Sequence, residues 1–269
     1  MMSVGDNVMD RYLATGVMFP GGGAVNVAVH AGRSGAEAGY VGTLGDDAEG
    51  ALVLDALREE GVDVSRTRIA AGSTAITDIS INELGERTFV AHHPGAGVTL
   101  DGEDLQHLAG ADWLYTNYSS DAEHLVPSLA AIAPLAFDFS YKDEGYASPL
   151  LAHVTLAAFS RSSLDTDACL ELIARTHHAG PRYVVVTRGG AGALIGVDGE
   201  VVEQPAEEVP AVDTLGAGDA FLARFACGVF GDESVTTAAA AASIEAARVC
   251  THHGGFGHAH PIDHERQAP

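Results

Sequence analysis

Two aspartates, Asp213 and Asp219, stand six residues apart in the stretch DTLGAGDAFLARFACGVF, on either side of a Gly216-Ala217-Gly218 turn that runs into an apolar segment. Small residues at a helix start leave backbone N–H groups unpartnered at the positive end of the helix dipole, which makes an anion site. Asp219, inside the first turn, is favoured as a carboxylate by the same dipole. A carboxylate beside an anion hole is suited to taking a proton from a hydroxyl while the hole holds a phosphoryl group in transfer. The plainer alternative is a glycine turn in which Asp219 merely starts a helix and Asp213 caps a loop.

Two further glycine turns bear on this choice. GDNVMD places Asp6, Asn7 and Asp10 at the end of a first strand, and FPGGGAVNVAVHAGRSG places Gly21 and Gly22 before a helix bearing Asn26. Amides and carboxylates near glycine turns grip sugar hydroxyls, because each donates or accepts in a fixed direction; a plain loop with Asn26 on a helix surface is the competing reading. VVVTRGGAG closes a buried strand with Thr187, Gly189 and Gly192. It lacks the GxGxxG spacing of a dinucleotide fingerprint and suits close backbone approach to a nucleotide, or an ordinary strand-to-hairpin turn.

Composition narrows the field. The chain has 269 residues, 46% hydrophobic, enough for one large α/β domain, and a net charge of −23 that disfavours nucleic acids and anionic membranes as partners. No apolar run reaches the roughly 18 residues of a membrane span, and no basic leader precedes an apolar core, so the expected location is the cytoplasm. The only lysine is Lys142, which excludes a Walker A loop and the strand lysine of a protein kinase. Cys169, Cys227 and Cys250 are far apart and read as free thiols. The 13 histidines, His258 and His260 among them, lack the spacing of a metal motif and read as solvated side chains.

Apolar runs followed by amphipathic helices recur from end to end, predicting an α/β fold with a three-layered parallel sheet. AGYVGTLG, ADWLYTN, LAFDFS, VTLAAFS, RYVVVTRGG and a short EEVPAV before Asp213 are the expected strands. Residues 72 to 92 break the rhythm with alternating polar and apolar positions around ELGER, the pattern of an antiparallel hairpin. We expect a lid over a cleft there, with HHPGAG as its hinge, and a second lid segment around residues 11 to 20. A hairpin edge of this kind could also pair with a second copy, giving a homodimer. The stretch from Gly254 is expected to be mobile at its end.

DTLGAGD late in the chain, GGGAVNVAV early and VVVTRGGAG between them, in that order, resemble the ribokinase/PfkB family of sugar kinases over nearly the whole length. Within the family, GDN, GGxAVNVAV and FDFS at 137 to 140 look most like the kinases of fructoselysine and related sugar–amine adducts. The resemblance implies a single ribokinase-like α/β/α sandwich over 1–269 with a small β-strand lid. It implies ATP with Mg²⁺ as cofactors, and a monovalent cation such as K⁺ in some relatives. It makes Asp219 the catalytic base and Gly216, Ala217 and Gly218 the anion hole. Asp10, Gly22 and Asn26 match sugar-binding positions, Asp213 lies near the sugar or a cation loop, and Thr187 and Gly189 lie along ATP.

One departure stands out: after VTLAAFS the chain continues SRSSLDTD, without the NxxE that serves magnesium and phosphate in many relatives. The metal ligands are therefore unassigned. Arg161 or Arg188 could take part of the phosphate charge, although a surface place is the commoner fate of arginine. The leading expectation is phosphorylation of a primary hydroxyl on a sugar or sugar–amine adduct, at the 6-position for a fructoselysine-type substrate. Fructose, ribose, a keto-deoxy sugar acid or a nucleoside is the alternative acceptor, and a non-catalytic sugar- or nucleotide-binding regulator is the reading from another class.

Overall fold

Continuous apolar strands such as YVVVT and LAFDFS need cover on both faces, and the computed structural model, which describes residues 1–81 and 87–263, gives it. The first half of the chain contains β1 (Met2–Val4), β2 (Val8–Tyr12), β3 (Val17–Gly21), α1 (Gly23–Arg33), β4 (Gly39–Val41), β5 (Thr43–Gly45), α2 (Ala48–Glu59), β6 (Arg68–Ala70), β7 (Ile76–Ile81), β8 (Arg87–His93), α3 (Gly102–Leu108) and β9 (Leu114–Asn117). The second half contains α4 (Val126–Ala130), β10 (Leu135–Ser140), α5 (Glu144–Leu151), β11 (Leu156–Ser160), α6 (Thr166–His178), β12 (Tyr183–Thr187), β13 (Ala193–Val197), β14 (Glu200–Gln204), α7 (Ala217–Phe230), α8 (Val235–Val249) and β15 (His260–Pro261).

The main sheet runs β14-β13-β12-β11-β10-β9-β1-β4, parallel from β12 to β4 and antiparallel through β13 and β14. Alternate residues divide its two faces. Tyr115, Ala136, Ala158, Tyr183 and Val185 pack with α1, α2, α7 and α8, whereas Leu114, Phe137, Phe139, Val184 and Val186 pack with the helices α3 to α6. This is the three-layered α/β arrangement the strand pattern predicts.

The two segments expected to act as lids share a second sheet, β15-β3-β2-β7-β8. Its β7 and β8 form the expected antiparallel hairpin, whose turn at 82–86 lies outside the described residues, as does the end of the chain from 264. An Arg11–Asp78 ion pair at 2.7 Å locks the β2–β7 register. Phe89 and Val90 stand exposed on β8, the edge strand on which the expected self-association would act.

Three local expectations need correction. AGYVGTLG is two strands: β4 lies in the main sheet, and the chain leaves it at Gly42, where a Cβ would lie 2.0 Å from the Tyr40 hydroxyl, so that β5 pairs with β6 instead. EEVPAV is irregular, because Pro210 has no N–H for a ladder and the Val212 N–H donates to the Cys250 carbonyl at 2.7 Å. Asp10 sits within β2 of the second sheet, opposite Phe19, not at the end of the first strand.

Candidate active site

Two helices in the layer that carries α7 begin at glycines without a side-chain cap of their own, yet the two ends differ. At α1 the N-cap is Gly22, with φ +103°, and Asp6 reaches over from the end of β1 to accept the N–H groups of Gly23 at 2.9 Å and Ala24 at 3.0 Å. Asn117 and the hydroxyls of Ser119 and Ser120 also donate to Asp6. Five protein donors occupy its carboxylate, so Asp6 plugs a helix end and fixes a turn; the direct sugar contact expected of it is not what this geometry favours.

The α7 end is open. Gly216 is its N-cap in the left-handed region at φ +79°, and no side chain caps it among the described residues. A Cβ on Gly218 would meet no atom within 4 Å, so there is open space beside the first turn, where the Ala217 N–H makes a long contact of 3.3 Å to the Thr214 carbonyl. Such an uncapped terminus fits the phosphate chain of a nucleotide. Asp219 lies in that first turn, and the Asn26 amide of α1 donates to its Oδ2 at 2.7 Å.

The residue is half-buried, but its carboxyl group is sunk among protein atoms. Burial pushes Asp219 up to about 8; the bond from Asn26 opposes that shift, and the charges of Asp138, Asp6 and Asp10 add to it. A value near the working pH is what a general base for a hydroxyl needs. The other amide atom of Asn26, Oδ1, is buried with no hydrogen-bond partner among the described residues and lies against Gly255. Replacing Asn26 by Ala removes a hydrogen bond that opposes the upward shift of Asp219, so the ascending limb of a kcat/KM–pH profile should move to higher pH. A limb that stays in place would remove Asn26 from the control of this carboxyl.

Asp138 is a member of the site that the sequence reading misses, although its signal is in plain view: it is the single charge in LAFDFS, at the carboxyl end of a buried strand. Burial pushes it up to about 6, opposed by the Ser140 N–H it accepts and by Arg161, and reinforced by Asp6. It belongs to the same electrostatic group as Asp219.

Asp213 proves to be a tie. It accepts the hydroxyl of Tyr12 from β2 and the N–H groups of Leu215 at 3.0 Å and Gly254 at 3.2 Å. It thus joins the second sheet, the α7 turn and the stretch after α8. That stretch is the least legible part of the site. The backbone of Gly255 packs against Gly216, its missing side chain leaves room for the Asn26 amide, and its carbonyl accepts from the His30 ring at 2.9 Å. Burial drives His30 down to about 4, so the ring is neutral and Nε2 donates.

Thr187 and Gly189 lie at the carboxyl end of β12, on the same sheet edge as Asp138 but two strands away. Gly192 has a packing reason of its own, since at φ +81° its Cβ would lie 2.1 Å from the Gln204 carbonyl. Arg188 is buried rather than at the surface, held by Thr166, the Ala191 carbonyl and a 2.8 Å ion pair with Glu203. A cavity of about 870 Å³ between Met1, Trp113 and Phe230 holds none of these residues; it lies at the opposite, amino end of the strands. The chemistry is where open α/β sheets place it, at the carboxyl ends.

The description of a pfkB family carbohydrate kinase matches this sequence over residues 4–259. The chain belongs to the pfkB family. A fructosamine kinase of Bacillus subtilis is 36% identical over 267 residues, covering 97% of this chain and 94% of its own. The fructoselysine 6-kinase of Escherichia coli is 33% identical over 260 residues, covering 95% of this chain and 99% of its own. The ribokinase of Thermotoga maritima superposes with a TM-score of 0.80 at 20% identity, over 97% of this chain and 96% of that one. This pfkB-family protein is therefore an ATP-dependent carbohydrate kinase with a ribokinase-like fold. Among its described residues no helix is long and apolar enough to cross a membrane.

Proposed function

We propose that this kinase transfers the γ-phosphoryl group of ATP to the 6-hydroxyl of a fructosamine, the adduct of a sugar with an amine such as the side chain of lysine. The observation that carries the reading is the pairing of Asp219 with an uncapped α7 terminus. Identity to fructosamine and fructoselysine kinases over nearly the full length supports the substrate class.

In this reading Asp219 accepts the hydroxyl proton as that oxygen bonds the γ-phosphorus and the bond to the bridging oxygen breaks, releasing ADP. The amides of Gly216 and Gly218, joined by that of Ala217 when it turns from the Thr214 carbonyl 3.3 Å away, take up the charge on the transferring oxygens, and positioning contributes more than base strength because the transition state is loose. Asp10, Gly22 and Asn26 hold the sugar, and the β2-β3 and β7-β8 strands close over it as a lid. Thr187 and Gly189 lie along the nucleotide. Among the described residues no group of three or more His, Cys, Asp or Glu side chains could hold a metal ion. Asp138 is the candidate carboxylate that would hold Mg²⁺ together with the phosphates of ATP, where the ion would neutralise phosphate charge. A monovalent cation would bind in the loop beside Asp213.

ADP release with Mg-ATP tests the reading against fructoselysine, a second fructosamine, fructose, ribose, a keto-deoxy sugar acid and adenosine. We expect the two amine adducts to be turned over selectively. Preference for a plain sugar or a nucleoside would keep the kinase and discard the fructosamine assignment.

A further inference from the structure

The chain's single lysine is held in an unusual way. Lys142 follows β10, and its ammonium lies 5.4 Å from the ring centre of Tyr118, 5.6 Å from that of Tyr141 and 5.1 Å from that of Tyr146. Its near neighbours in the chain include several acids, yet each has another partner. Asp143 accepts the Tyr146 N–H as the cap of α5, Glu144 pairs with Arg175 at 2.7 Å, and Asp138 accepts the Ser140 N–H at 2.7 Å. Glu123, next to the cage, accepts the Tyr146 hydroxyl. Among the described residues Lys142 forms no ion pair with any carboxylate, in a chain with 37 acids and 14 lysines and arginines. Aromatic faces attract an ammonium without cancelling its charge, so its N–H groups remain available to an anion.

The turn that carries Lys142 is also fixed in advance. Arg161 donates to the carbonyls of Ser140, Lys142 and Ser160, and Ser140 adopts a φ of +49° that this clamp maintains. The cage adjoins the floor of the site: the Tyr118 N–H donates to the Asp138 carbonyl at 3.0 Å, and its neighbour Asn117 donates to Asp6. The charges of Asp138 and Asp6 both act on Asp219. In strand order the cage stands at β9 and β10, toward β1, whereas the Thr187–Gly189 turn lies on the other side, beyond β11.

We infer that Lys142, held by Tyr118, Tyr141 and Tyr146, is the recognition cation for a carboxylate on the amine-derived part of the sugar substrate. The inference rests on the fructosamine reading and narrows it to adducts of amino acids that keep their carboxyl group. An anion could also reach Lys142 as a phosphate of the nucleotide; the position of the cage on the β1 side favours the substrate carboxylate, and the experiment separates the two.

Two adducts that differ by one carboxyl group decide it: fructoselysine, and the fructose adduct of 1,5-diaminopentane, which is fructoselysine without its carboxylate. A charged hydrogen bond of this kind corresponds to about ten- to one-hundred-fold in kcat/KM. Wild type should prefer fructoselysine by that factor, expressed mainly in KM. Lys142→Met should lose the preference, and Lys142→Arg should keep most of it. Equal kcat/KM for the two adducts in wild type overturns the inference without recourse to any variant. So does a Lys142→Met enzyme that keeps the preference, or one whose kcat falls alike for both adducts, the signature of a role toward phosphate. If neither adduct is consumed while fructose or another acceptor in the panel is, the fructosamine reading has failed and the inference falls with it.

Discussion

Asp219→Asn should lower kcat by about 10²- to 10⁴-fold, the usual worth of a positioned general base, while ATP binding measured by calorimetry stays close to wild type. The amide is nearly isosteric and can still meet Asn26, so the fold and the α7 turn are retained, and what disappears is the acceptor for the hydroxyl proton. In wild type kcat/KM should rise with pH along a limb set by the free enzyme, near the value of about 8 to which burial pushes this carboxyl. The variant should lack that limb. Full activity in Asp219→Asn would remove the residue from the mechanism.

The same substitution carries an opposite expectation for stability. The folded-state value of Asp219 lies above the ordinary 3.8, so the folded chain binds more protons than the unfolded one between these two values. Stability from this group is therefore lost as pH rises from 3.8 to about 8, and above that the loss is complete. Asp219→Asn removes the buried charge. Its thermal midpoint should exceed that of wild type by a margin that widens across this window and then levels off. A base held ready in a desolvated site costs stability, and that cost should be visible as a pH-dependent gain when the base is removed.

The second large effect concerns two glycines two residues apart. At Gly216 a Cβ would lie 2.7 Å from the Gly255 Cα, and the backbone is at φ +79°. The neighbour is main chain and cannot rotate away. Gly216→Ala should cost about 1–3 kcal/mol of stability and shift the turn enough to lower kcat about 10²-fold. At Gly218 a Cβ meets nothing within 4 Å, so Gly218→Ala should fold with an unchanged thermal midpoint. It should nevertheless raise the KM for ATP and lower kcat, because the methyl enters the open space beside the first turn of α7. Thermal melts and steady-state kinetics on the two variants separate a packing glycine from a binding one. Equal behaviour would mean that the open α7 terminus is not where phosphate sits.

Much of this is legible in the chain itself. LAFDFS and YVVVT read as doubly covered strands because they are nearly unbroken apolar runs, and GAGD reads as a helix start because small residues and a first-turn acid have few other uses in that order. The hairpin declares itself by alternation. What escapes is set by pairing at a distance. Asp6 looks like Asp10 in sequence, and only the approach of α1, Asn117 and Ser120 makes it a plug. Asp213 looks like a ligand until Tyr12 and Gly254 are seen to claim it. Gly255 lies 36 residues beyond Asp219, and nothing in its neighbourhood signals that it backs the turn. Asp138 is within reach of sequence reasoning, as one acid at the carboxyl end of a buried strand is rarely there for packing. The tyrosine cage is not, since Tyr118 and Tyr146 come from either side of β10 and meet Lys142 only in the fold.

Phosphorus NMR of the product formed from Mg-ATP and fructoselysine tests the central claim most directly, with Asp219→Asn run beside wild type. The account predicts a phosphomonoester whose phosphorus couples to the two protons of the C6 methylene, formed by wild type and lost in the variant. Only ADP and free phosphate, a phosphoryl group on another carbon, or the same ester formed as fast by Asp219→Asn would contradict it.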